Sequence, residues 1–193
     1  NIREWYRVHM PEIGLVQNSM GGYHFVVRKG EGGGVTKGID NVAKPYVSNP
    51  YNSNGNLKTN VKYKSGEYNY SYETDNLGRI SKFETDNLQF TTRENRLSHN
   101  PNTPGKQPGD HAGHLAGDRF GGSPELDNLV SQSSNINLSQ YKKLENQWAN
   151  AIKDGKQVYV NVKIEYSGNS SRPSTFNVQY EIDGERFIKD LLN

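Results

Sequence analysis

Only one stretch of this chain carries the period of a buried helix. In "NLSQYKKLENQWANAIKDG", Asn137 to Gly155, the residues Leu138, Tyr141, Leu144, Trp148 and Ile152 step by three and four. That spacing puts them on one face at 3.6 residues per turn. Asn137 has the chemistry of an N-cap and Gly155 that of a helix stop. Elsewhere the apolar pattern alternates. Tyr63, Tyr68, Tyr70 and Tyr72 fall near a period of two, with Ser65-Gly66 and Asn76-Leu77-Gly78 as turn signals. "ETDNL" occurs at 73–77 and 84–88. Two copies are too few for a solenoid, so the stretch reads as a strand meander with similar turns. After the helix, "QVYVNVKIEY" and "STFNVQYEI" alternate again and form a hairpin through Ser167–Pro173, and Asp183-Gly184 marks a turn beyond it. One helix among many strands predicts an α+β fold.

The front of the chain differs in composition. "KGEGGGVTKG" (Lys29–Gly38) and "SNPYNSNGN" (Ser48–Asn56) are linker and turn sequences, with one strand candidate, "GYHFVVRK" (Gly22–Lys29). Residues 1–60 therefore read as a loop-rich N-terminal segment, and 61–193 as the folded domain. A chain of 193 residues suits one domain with an arm. It starts at Asn1 without a signal-like segment, which reads as a domain cut from a longer protein.

Several chemistries drop out. The absence of cysteine removes disulfides, thiol nucleophiles and thiolate metal sites together. No apolar run reaches the roughly 18 residues of a membrane-spanning helix. A formal charge of +2 gives no global attraction to polyanions, so any basic surface must be local.

The polar stretch "DHAGHLAGDRFGG", Asp110 to Gly122, follows three prolines at 101, 104 and 108. Alone, a histidine in such a loop is most often solvated surface. The residues behind it change the reading. Asn128 lies nine positions before Asn137, and Glu145 eight after it. Eight residues is just over two helical turns, so Asn137 and Glu145 project to the same side. Gly113-His114, Asn128, Asn137 and Glu145 in this order resemble the DNA/RNA non-specific endonucleases, the ββα-metal or His-Me finger nucleases, over about residues 100–183 with a motif core at 110–150. The local signature is similar to the nuclease domains of secreted bacterial polymorphic toxins. The family's Asp-Arg-Gly-His differs here. Two residues, His111 and Ala112, separate Asp110 from Gly113, and the arginine is missing.

The resemblance implies a ββα-metal core, with a mixed antiparallel sheet and a metal-site helix. It implies His114 as general base, with Asn128 and Glu145 completing the catalytic set and Asn137 as ligand to Mg²⁺, for which Mn²⁺ can substitute. A neutral imidazole suits proton abstraction near neutral pH. Magnesium prefers oxygen ligands and keeps several waters, so one amide oxygen is anchor enough. Arg119 and Arg172 are the best phosphate contacts in reach of the motif, while Asp110 and His111 have no assigned role. The implied substrate is DNA, with RNA as an alternative. The implied context is secretion, action in a target cell's cytoplasm, and an acidic immunity protein that blocks the site before export. Blander readings stand beside these. Asn137 as cap alone, Glu145 as a surface partner of a lysine, and His111 with His114 as a zinc pair are all open. At the level of the whole chain, the tyrosine-rich meander also fits a non-catalytic binding or adhesive module.

Overall fold

The computed structural model describes residues 43–193, together with the backbone of two earlier strands, β1 (Glu12–Gln17) and β2 (Tyr23–Arg28). The chain divides into two compact units, 1–44 and 45–193. In the first unit β1 and β2 pair antiparallel, Glu12 opposite Arg28 and Gln17 opposite Tyr23. The strand expected at 22–29 is β2, and β1 adds a partner that its mixed composition concealed. The linker composition at 29–38 lies outside the described residues.

The boundary between units falls at Lys44/Pro45 rather than at residue 60. Residues 45–60 are irregular but tied down. Val47 N–H donates to Lys62 O at 2.9 Å, Lys62 N–H to Pro45 O at 2.8 Å, and Lys58 N–H to Pro50 O at 2.7 Å.

The second unit is built on β3 (Lys62–Ser65), β4 (Tyr70–Thr74), β5 (Ile80–Thr85), β8 (Val158–Tyr166), β9 (Pro173–Ile182) and β10 (Glu185–Leu192). They form one antiparallel sheet in the order β10-β9-β8-β5-β4-β3. The register explains the tyrosines. Tyr63 stands opposite Tyr72, Tyr72 opposite Phe83, Phe83 opposite Val162, and Val162 opposite Val178. All five are 0–1% exposed. The intervening residues, among them Lys62, Glu73, Lys82 and Lys163, line the opposite face with charge. The sheet is thus apolar on one side and wet on the other, as antiparallel alternation allows.

That apolar side is covered by a second, two-stranded sheet, β6 (Asp110–His114) with β7 (Leu129–Ser133), and by helix α1 (Tyr141–Lys153). The helix buries Tyr141, Leu144, Trp148, Ala149 and Ala151. Trp148 meets Tyr180 edge-on at 5.7 Å between ring centroids. Leu138, expected on this face, is 59% exposed, because a wider helical turn precedes α1 and shifts the phase. Gly155 closes the helix at φ +75°, where Lys156 N–H donates to Ala151 O.

Candidate active site

The hairpin and the helix make a ββα unit. β6 and β7 run antiparallel, Asp110 opposite Ser133 and His114 opposite Leu129. The chain then enters a π-helical turn, Ile136–Gln140, which runs into α1. Tyr141 Oη donates to Leu115 O at 2.7 Å, fastening the helix to the end of β6. The expected N-cap role of Asn137 is not what the structure holds. Helical backbone already begins at Ser134, and Ser133 Oγ accepts from Ile136 N–H at 3.3 Å, so Ser133 takes the cap position and Asn137 lies inside the first turn. Its side chain instead faces β6, with Nδ2 3.1 Å from His111 Nδ1.

His114 ends β6 partly buried. Its Nε2 is enclosed with no partner among the described residues. Burial pulls its pKa down to about 4, and the nearby charges of His99 and Arg96 push the same way against Asp118. The His99 ring stands 5.0 Å from it, at 67°. The imidazole is therefore neutral across the physiological range, the form a general base needs.

Glu145 sits two turns into the helical segment with its carboxylate against Gly117. A β-carbon on Gly117 would lie 2.0 Å from Glu145 Oε2, so any larger residue there would displace the carboxylate from this position. No described residue hydrogen-bonds or ion-pairs with this carboxylate. Burial raises its pKa to about 7, and Arg119, Lys142 and Arg96 offset that only in part. A buried carboxylate with unspent acceptors, facing three cations, is arranged to receive something polar.

Asn128, expected among the catalytic residues, is 0% exposed and fully consumed. Its Oδ1 accepts from Tyr72 Oη at 2.6 Å and Ala116 N–H at 2.9 Å. Its Nδ2 donates to Ala116 O and Ser123 O, both at 2.8 Å. It positions the loop after His114 and touches no open space. The same loop is held by Tyr63 Oη to Asp127 O at 2.6 Å and by Tyr70 Oη to Phe120 O at 2.8 Å.

Arg172 is likewise committed. Its Nε donates to Asp110 Oδ2 at 2.7 Å and its Nη2 to Asp110 Oδ1 at 2.9 Å. This fork lowers the Asp110 pKa and occupies the donors that a phosphate would need. Asp110 thus gains a role that the altered motif obscured, joining the start of β6 to the start of β9. Arg119 is exposed, with Nη1 on Asn146 Oδ1 at 2.8 Å, and remains within electrostatic reach of Glu145. His111 and His114 point to opposite sides of β6, since successive strand residues alternate, and this rules out their joint ligation of zinc.

Three residues that the sequence left unassigned also reach the site. Arg93 pairs with Asp118 at 3.0 Å. His99 packs on His114. Arg96 is exposed without an ion pair among the described residues, and its charge is felt at both His114 and Glu145. The only hint in the sequence is the basic run "RENR" seventeen residues before Asp110. Nothing local says that this loop folds back across the motif.

Among the described residues no three His, Asp or Glu side chains cluster as a metal cage. What the site offers is the single amide of Asn137, with Glu145 near the same helix face. That donor set fits a hard cation which keeps most of its waters, and not a four-ligand structural zinc.

Residues 59–184 match the sequence profile of the DNA/RNA non-specific endonucleases. The chain is also 41% identical over 146 residues to the type VII secretion system protein EssD of Staphylococcus aureus strain USA300, and equally to that of strain NCTC 8325. The match covers 71% of this chain and 24% of each relative, so the chain spans about a quarter of their length.

Proposed function

Because the chain belongs to the DNA/RNA non-specific endonuclease family, we propose that it is a divalent-metal-dependent nuclease that hydrolyses phosphodiester bonds of DNA, with His114 as its general base. The observation that carries this reading is the neutral, partly buried imidazole whose Nε2 has no partner among the described residues, set at the end of β6 near Arg96, which has no ion pair among them. His114 takes the proton from the attacking water. Arg96, ahead of Arg119, meets the phosphate, since its guanidinium alone is felt at both His114 and Glu145. Asn137 holds Mg²⁺ through its amide oxygen, and Glu145 accepts hydrogen bonds beside it. A bound divalent cation would neutralise charge on the scissile phosphate and its leaving oxygen. No base edge enters this account, so sequence preference should be weak and RNA remains a substrate to test.

Similarity to EssD, a type VII secretion system protein, supports export by that route; a non-specific nuclease exported in this way would act as a toxin in a target cell and would require an immunity protein in the producer. Arg96, Arg119 and Lys142 converge on Glu145, so an inhibitor that covers the site should be acidic.

The test is digestion of plasmid and linear DNA with Mg²⁺ or Mn²⁺, with and without EDTA. Cleavage that persists in excess EDTA contradicts the metal, and no cleavage under any divalent ion contradicts the nuclease. Growth of bacteria expressing the wild-type chain as well as those expressing His114→Ala, with active nuclease recovered, would contradict the need for immunity.

A further inference from the structure

We propose that His111 is a positioning residue for the metal ligand, fixing the amide of Asn137 so that its oxygen faces the cation. The inference rests on the metal role of Asn137 proposed above. Three observations carry it. The Asn137 Nδ2 and His111 Nδ1 atoms are 3.1 Å apart, a contact in which the amide donates when the ring carries its proton on Nε2 and can only accept at Nδ1. An asparagine amide has two ends of nearly equal shape, and a partner that only accepts selects the nitrogen end. Oδ1 is then turned away from β6 and left free. The helix start is capped by Ser133, whose Oγ accepts from Ile136 N–H at 3.3 Å, so the Asn137 side chain is not needed as a cap.

The face of the hairpin on which this occurs is itself unusual. Gln132 stands directly opposite His111 in the register and is 0% exposed, yet both its Oε1 and its Nε2 lack partners. Its amide lies across Gly113, where a β-carbon would be 1.9 Å from Oε1. One side of the strand pair thus carries His111, the Asn137 amide and a buried amide without a partner among the described residues, a costly arrangement for a polar group.

Magnesium and manganese affinity should be measured calorimetrically on the domain without nucleic acid, alongside activity and melting temperature. His111→Leu removes the acceptor, and His111→Asn returns an oxygen near the place of Nδ1. We expect His111→Leu to weaken cation binding about 10–100-fold, the range found when a group that orients a ligand is lost. His111→Asn should recover most of that loss, and His114→Ala should bind the cation like the wild type. Unchanged affinity in His111→Leu overturns the proposal. So does equal weakening in the Leu and Asn variants, which would mean packing alone. Asn137→Ala separates this from the underlying reading. If Asn137→Ala itself leaves cation binding intact, the metal site is misplaced, whereas a loss there with normal binding in His111→Leu sinks only the role of His111.

Discussion

His114 and Glu145 are both displaced from their ordinary titration, in opposite senses and for one reason, burial. The buried Nε2 of His114 makes no hydrogen bond, so His114→Ala gives up none there. Its melting temperature should match or exceed the wild type while kcat falls about 10²–10⁴-fold, the usual worth of a general base. An imidazole titration followed by NMR should find its midpoint near pH 4. Glu145 binds its proton more tightly folded than unfolded. The stability tied to it is therefore fully present below its ordinary value of 4.5 and is lost as pH rises through about 7. Glu145→Gln, which stays neutral, should accordingly be inactive yet more stable at pH 8 by about 1–2 kcal/mol after solvent screening. At pH 4 it should match the wild type. An equal gain at both pH values would show that the carboxylate is not strained by burial.

At the scale of elements, the site loop from Ala116 to Asn128 has no regular structure beyond one 3-10 turn, Asp118–Phe120. It is ordered by side chains of the sheet beneath. Tyr72→Phe should cost about 0.5–1.5 kcal/mol, the net worth of one hydrogen bond, and Asn128→Ala more, since backbone groups of Ala116 and Ser123 lose their partners. A double-mutant cycle read by urea unfolding should show the two losses to be non-additive. Additivity would mean that Tyr72 does not act through Asn128. The sequence disclosed the strands of the meander and of the β8–β9 hairpin because alternation survives in the residue types. It did not disclose β10, where "ERFIKD" mixes charge onto both faces of an edge strand, nor the π-helical turn, whose extra residue moves Leu138 out of the core. Spacing singled out His114, Asn137 and Glu145 as candidates. It could not reveal that Asn128 is sealed in or that Arg172 belongs to Asp110, because both facts depend on residues 56 and 62 positions away. The tyrosines that suggested an adhesive surface are spent on holding the site.

Over the whole second unit, one nearly buried ion pair ties the β6–β7 hairpin to the large sheet. The side chain of Asp110 is 4% exposed, so Arg172→Ala would strand a carboxylate with little access to water. A loss of about 3–5 kcal/mol in urea unfolding is expected, with partial relief in acid, where the stranded carboxylate takes up a proton. No relief in acid would mean that Arg172 acts by packing. Beside this pair, Asn193 places its side-chain amide along β7. Oδ1 accepts from Ser133 N–H at 2.7 Å, and Nδ2 donates to Ser131 O at 3.0 Å and Pro173 O at 2.8 Å, while its backbone N–H remains on Ser174 O. A single amide thus does for β7 what a neighbouring strand would do, and it is anchored in the large sheet. Hydrogen exchange should register the consequence. The Ser133 amide proton should exchange as slowly as those at the centre of β8, by the same cooperative opening, and the β6–β7 hairpin should have no private route to unfolding.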